Sequence, residues 1–404
     1  TLSFRGLANR SYYILQRDRR EFANYSGTGN TFNANHPVGL RLILDSLRYW
    51  VEQMHVDGFR FDLASILTRD TRGTPLLRPP LWLGIETEPA LAGTELIAEA
   101  WDAGGLYQVG SFPAYGRWAE WNGRYRDDVR AAMITGDNTI AHLATRIAGS
   151  SDLYQPNRSP LCSINFITSH DGFTLYDLVS YNRKNNRLNG EDNKDGDNHN
   201  LSWNSGWEGE KCSEDVKDMR FRRMKSFITL LMVSQGVPMI LAGDEFGRTQ
   251  KGNNNCWCQD NETSWLDWSL IDKNSDFHRF FKKCIRLRKQ YPIFRREEFF
   301  LPEKTVGQGD RPEITWQYLT PGTQNWSPDC HGLAFHLYAR PEAEHGCEFF
   351  IMIKTHKDRM LPFSTPPPDG SDNDWQLIID TAAASPDDFL VSPAPPARQK
   401  NSSI

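Results

Sequence analysis

The chain has 404 residues, of which 39% are hydrophobic and 24% charged; that is enough for more than one domain, one of them with a barrel-sized core. The formal net charge of −5 gives no electrostatic reason to expect nucleic acid or an anionic membrane as partner, and no apolar run approaches a membrane span.

In chain order, Leu40, Leu44, Leu47, Val51 and Met54 recur at steps of four and three, which predicts a helix over 38–54. Asp57-Gly58 reads as a turn, and Phe59-Arg60-Phe61-Asp62 as the end of a strand. Leu96-Ile97-Ala98-Glu99 is a second short strand ending in a carboxylate. Ser163 to Ser169 is a third, followed by His170-Asp171-Gly172. The segment Asn182 to Glu210 is rich in Asn, Asp, Gly and Lys and reads as a long loop. Glu191, Asn193, Asp195 and Gly196 have calcium-loop spacing, but Ser202 stands where such a loop needs a bidentate Glu. A helix over 213–235 shows Phe221, Met224, Ile228 and Leu231 on one face and meets Gly236. Pro238 to Ala242 is a fourth strand, before Gly243-Asp244-Glu245, and 275–290 is another amphipathic helix.

Strands alternating with helices imply parallel βαβ units, and polar residues at strand C-termini mark the catalytic face of a (β/α)8 barrel. The expected fold class is α/β, a partial TIM barrel of about strands 4–8 over 1–298. Beyond it, Ile314–Leu319, Leu333–Tyr338, Phe349–Ile353 and Trp375–Ile379 alternate with Pro- and Gly-rich turns. They suggest a small antiparallel β-domain over 299–392, with a disordered tail over 393–404.

Side chains alternate along a strand, so Arg60 and Asp62 share one face and Phe59 and Phe61 the other. An Arg beside an Asp keeps it ionised, as a nucleophile requires, although a structural ion pair would look the same. Glu99 precedes Trp101, an apolar wall able to raise the pKa of a general acid. His170 and Asp171 can bind sugar hydroxyls. An oxocarbenium-like transition state calls for surrounding carboxylates, and three at successive strand ends point to glycoside hydrolysis.

At these residues the chain resembles the α-amylase family of glycoside hydrolases. The matching pieces are Asp57-Gly58-Phe59-Arg60-Phe61-Asp62, Ala98-Glu99-Ala100-Trp101-Asp102 and Ser169-His170-Asp171-Gly172. The resemblance implies Asp62 as nucleophile, Glu99 as acid/base and Asp171 as transition-state stabiliser, with Arg60 and His170 as their partners. Asn9 to Tyr13, Tyr25 to Pro37, Trp101 to Gly110, Trp118 to Asp127, Phe173 to Tyr181 and Leu241 to Asn255 look like the isoamylase-type debranching subgroup. That implies hydrolysis of α-1,6 branch linkages in a branched α-glucan (glycogen, amylopectin or limit dextrin). Trp101, Tyr107, Trp121 and Asn122 lie in those stretches and are candidates for glucose stacking and hydroxyl binding, with loop packing as the alternative.

The family's earlier conserved region should lie upstream of Asn9. The chain, which starts at Thr1, is therefore expected to be part of a larger enzyme, and poorly folded and inactive alone. An α-1,4-acting amylase or transglycosylase would use the same carboxylates. A non-catalytic glucan-binding subunit should have lost them. No organic cofactor is implied. His170 is the single imidazole at the strand ends, and Cys256-x-Cys258 has no second pair, so no metal site is expected. Seven scattered cysteines and the lack of a signal-peptide pattern suggest a cytoplasmic protein, or a plastid one in a plant or alga.

Overall fold

The computed structural model describes residues 4–136, 139–301, 312–338, 347–355, 360–368 and 374–390. The expected tail over 393–404 lies outside them. The described chain divides into two compact units. Of the described residues, the first unit takes those within 1–123 and 151–164, the second those within 124–150 and from 165 onward.

In the first unit, helix α1 (Pro37–Glu52) starts on a proline, with the His36 ring accepting from the Val38 N–H. It ends at Glu52, two residues short of the expected end, so Met54 is exposed. Strand β1 (Gly58–Phe61) pairs in parallel with β2 (Glu95–Ala98), Gly58 opposite Glu95 and Phe61 opposite Ala98. Gly58 is thus not a turn residue but the first residue of β1. A Cβ there would lie 2.5 Å from the Glu95 carbonyl oxygen, so the close strand approach needs glycine. Helix α2 (Pro80–Thr87) buries Leu81, Trp82 and Ile85. Phe61, Trp82, Phe112 and Trp118 form an aromatic cluster at the centre of this unit's core.

One strand escaped the sequence reading. β3 (Ala119–Trp121) pairs in parallel with β2 and with β4 (Ser163–Phe166). Its three residues have no apolar run, and its central residue, Glu120, is a buried carboxylate held by Arg158 and the Gly110 N–H. β2 and β4, expected to be successive strands, are consequently not neighbours, because β3 lies between them. The sheet order is β1-β2-β3-β4-β5, with β5 (Val237–Met239) shorter than expected.

In the second unit, helices α3 (Gly123–Ile134), α4 (Ile140–Ile147), α5 (Glu214–Val233) and α6 (Ser275–Gln290) surround a separate core. α5 opens with Glu214 and Asp215, and α6 closes with Arg288 and Lys289, both in favourable senses for the helix dipole. Met224, Ile228 and Leu231 are buried as their spacing predicts. Strands β6 (Ile314–Gln317), β7 (Gly332–Tyr338) and β8 (Glu348–Lys354) form an antiparallel sheet. Its inward residues Leu333, Phe335, Leu337 and Phe349 join the same core as α5 and α6. The expected strand at Trp375–Ile379 is absent. Ile379 makes an isolated bridge to Phe389, and Trp375 instead lays its ring against His336 and Phe350.

Candidate active site

The register of β1 on β2 decides where the first two carboxylates emerge. Phe61 lies opposite Ala98, so Asp62 and Glu99 follow directly at equivalent points of adjacent strands. The ladder continues one step, with the Glu99 N–H donating to the Phe61 carbonyl at 3.1 Å. Alternation sends Phe61 into the aromatic core and leaves Arg60 on the other face. There its Nη1 donates to Asp62 Oδ1 at 2.5 Å, while its Nη2 lies 2.8 Å from Glu99 Oε2. One guanidinium thus joins both carboxylates and offsets their mutual repulsion. The Asp62 side chain is 74% exposed and that of Glu99 4%.

Two neighbours complete this arrangement. The Arg60 guanidinium lies over the Trp121 ring, 4.1 Å from its centroid, so β3 supports the cation from a third strand. Leu63, in the left-handed region at φ 39° and ψ 49°, turns its N–H onto Glu99 Oε2 at 2.7 Å. A branched-chain residue in that region is strained, and here the strain accompanies a bond to the candidate acid.

Trp101 and Tyr107 form a short bridge, their rings 6.1 Å apart and within 10° of parallel. Asp102 builds the intervening turn. Its Oδ1 accepts the N–H groups of Gly104 and Leu106, and its Oδ2 takes Nε and Nη2 of Arg69 at 3.0 and 2.6 Å. Tyr107 is 46% exposed. Asn122 is fully buried, and its amide donates to Ser163 Oγ at 2.8 Å, linking β3 to β4. Burial pushes the Glu120 carboxyl up despite the opposing Arg158 and Gly110 N–H.

In the second unit, His170 and Asp171 lie on an exposed turn, with His170 Nε2 3.5 Å from Asp171 Oδ2. Ser169 Oγ donates to the Asp171 carbonyl. Gly172, at φ 106°, gives its N–H to the Asn254 carbonyl at 2.9 Å. Asp244 holds both flanks of the turn, accepting from Thr168 Oγ1 and, at 2.9 Å, from the Leu175 N–H. Burial pushes its carboxyl up to about 7, against the pull of those two bonds. Asp177, which binds Thr249 and the N–H of Gln250, is pushed up to about 6 by burial.

The candidate carboxylates stand at chain positions visible in the sequence, whereas Leu63, the reach of Arg60 to Glu99 and the contacts of Asp244 and Asn254 appear only in the fold. Asp244 and Asn254 lie in the Leu241–Asn255 stretch, whose density of Asp, Gly and Asn was the available signal. Among the described residues, no group of three or more His, Cys, Asp or Glu could hold a metal ion.

No family model matches the chain. It is 45% identical over 415 residues to isoamylase SU1, chloroplastic, of Zea mays, covering 98% of this chain and 50% of that protein. It is 50% identical over 338 residues to the glycogen operon protein GlgX homolog of Mycobacterium bovis, covering 83% and 46%. To the glycogen debranching enzyme of Pectobacterium carotovorum it is 42% identical over 383 residues, covering 92% and 56%. The chain thus spans about half the length of the curated relatives it matches. Among solved structures, a pullulanase from Anoxybacillus in complex with maltotetraose aligns over 90% of this chain and 47% of its own, with a TM-score of 0.64 at 24% identity. Bacillus subtilis pullulanase type I aligns over 85% and 43%, with a TM-score of 0.63 at 21% identity. Along most of its length, therefore, the chain is homologous to about half of proteins named isoamylase, GlgX homolog and glycogen debranching enzyme, on an α/β fold similar to that of pullulanases.

Proposed function

We propose that the protein hydrolyses α-1,6 branch linkages in a glycogen- or amylopectin-like glucan by retaining double displacement. Asp62 attacks the anomeric carbon. Glu99 protonates the leaving oxygen and then activates water. Asp171, with His170, binds hydroxyls beside the reacting carbon and stabilises the oxocarbenium-like transition state. Trp101 and Tyr107 offer flat faces to glucose units. Trp121 acts on Arg60, and Asn122 on the spacing of β3 and β4.

The observation that carries this reading is the Arg60 fork joining Asp62 and Glu99 at adjacent strand ends. A retaining mechanism needs its two carboxyl groups roughly 5–5.5 Å apart, and two prongs of one guanidinium favour such a pair. The preference for 1,6 linkages rests on the relatives. We read 1–298 as strands 4–8 of a catalytic barrel and 299–392 as an appended β-region. The described cysteines form no disulfide, which favours a reducing compartment such as cytoplasm or plastid stroma.

The test incubates the full protein separately with β-limit dextrin, pullulan and amylose. Release of linear chains from the dextrin with amylose left intact is expected. Cleavage of amylose alone would favour an α-1,4-acting enzyme, and binding without turnover a glucan-binding subunit.

A further inference from the structure

The segment Asn182 to Glu210 was expected to be a loop, and within it the amides of Asn186 and Asn200 are buried. Asn186 is fully buried, and Asn200, Asn253 and Asn254 are each at most 5% exposed. Asn186 Nδ2 donates to Asn254 Oδ1 at 2.8 Å, and the Asn254 N–H donates to Asn186 Oδ1 at 3.0 Å. Asn254 Nδ2 in turn donates to the Asp197 carbonyl and to Asn200 Oδ1, both at 2.8 Å. Each polar atom of the Asn254 side chain is thereby used, as a buried amide requires. Gly196 keeps the space open, because a Cβ there would strike Asn254 Oδ1 and Asn186 Nδ2. The Lys184 ammonium sits among the carbonyls of Lys194, Asp195 and Gly196 at 3.3, 2.6 and 3.0 Å. The segment with calcium-loop spacing thus closes around a cation belonging to the chain itself.

This network ends at the His170–Asp171 turn from two directions. The Asn254 carbonyl accepts the Gly172 N–H. On the other side, buried Arg130 donates through Nε to the Ile167 carbonyl at 2.8 Å and through Nη1 to the Asn200 carbonyl at 3.0 Å. The backbone is therefore tied to the amide network both before and after His170–Asp171.

We infer that Asn254 is a positioning residue for Asp171, transmitting the order of the 182–200 segment to the His170–Asp171–Gly172 turn. The inference rests on the reading of Asp171 as a group that meets substrate. The Asp171 side chain is 71% exposed, so packing does not hold it, and the Asn254–Gly172 bond anchors the backbone beside it, together with the Ser169 hydroxyl on the Asp171 carbonyl.

The test uses the full protein and β-limit dextrin. Asn254→Ala should lower kcat by roughly 10- to 100-fold, the loss expected from a small displacement near the reacting centre, with KM moving less than about threefold. In an Asp171→Ala background the same substitution should change kcat by less than about threefold, because the anchored turn no longer carries the group. An unchanged kcat in the single variant, or an equal loss in both backgrounds, overturns the inference. Hydrogen exchange of the Gly172 amide gives a readout independent of turnover. It should speed up in Asn254→Ala and in Asn200→Ala. The second variant removes one bond and serves if the first does not fold. Unchanged exchange at Gly172 also overturns the inference. Near-normal activity of Asp171→Ala alone would instead remove the role of Asp171, while the exchange data still decide whether Asn254 anchors the turn.

Discussion

Nη2 of Arg60 lies 2.8 Å from Oε2 of Glu99, a residue on the neighbouring strand. The same guanidinium holds Asp62 through Nη1 and rests on the Trp121 ring. A lysine could pair with one carboxylate but cannot fork or stack in this way. Arg60→Lys should lower kcat by the loss of the stacked cation and of its second ion-pair contact, about 1–2 kcal/mol or roughly 5- to 30-fold. Steady-state kinetics on β-limit dextrin checks this, and retention of more than half of kcat would rule out the bridge as part of the machinery.

Substitution of the two carboxylates should separate their roles. Asp62→Ala and Glu99→Gln should each reduce turnover of dextrin by several orders of magnitude. A glucosyl substrate with a leaving group that needs no protonation should restore glycosylation in Glu99→Gln and not in Asp62→Ala. Equal restoration in both variants would exchange or abolish the assignments.

Tyr107 is half exposed and lies parallel to Trp101. If the pair stacks on glucose away from the reacting bond, Tyr107→Ala should raise KM by roughly 5- to 10-fold, about 1 kcal/mol of aromatic contact, with kcat nearly unchanged. A fall in kcat at constant KM would place this ring at the reacting centre instead.

Asp244 gives a pH dependence of stability. Its folded carboxyl, raised to about 7, keeps its proton where the unfolded chain, with an ordinary value of about 3.9, has lost it. The folded state binds more protons in that window, so this contribution is fully present below about pH 4 and is lost as pH rises through about 7. Asp244→Asn keeps the shape without the titration. The wild type should lose stability relative to this variant, on the order of a few kcal/mol, between pH 4 and 7. Urea unfolding at a series of pH values measures it, and a constant difference across the series would contradict the shift.

Gly58 faces the Glu95 carbonyl with no room for a side chain. Gly58→Ala should destabilise the first unit by about 1–3 kcal/mol through strand separation and lower kcat by disturbing the register that sets Asp62 beside Glu99. Thermal unfolding and kinetics of the same preparation test both parts. A variant with normal Tm and normal turnover would show that the approach relaxes freely.

The sequence alone determined what depends on neighbours along the chain. Steps of three and four placed Leu47 and Met224 on buried faces, and alternation put Arg60 with Asp62 and opposite Phe61. Carboxylates at strand ends could be read because a strand end is a local event. Tertiary structure decided what depends on register. Nothing near Arg60 in the chain indicates that its second prong meets Glu99, 39 positions away, or that Trp121 supports it. β3 was invisible because three residues around a buried Glu120 carry no periodic signal; pairing to β2 and β4 makes them a strand. Likewise, Asn-rich stretches at 182–200 and 253–255 look like solvated loops until their amides face one another, because a buried amide is stable only when a distant partner satisfies it.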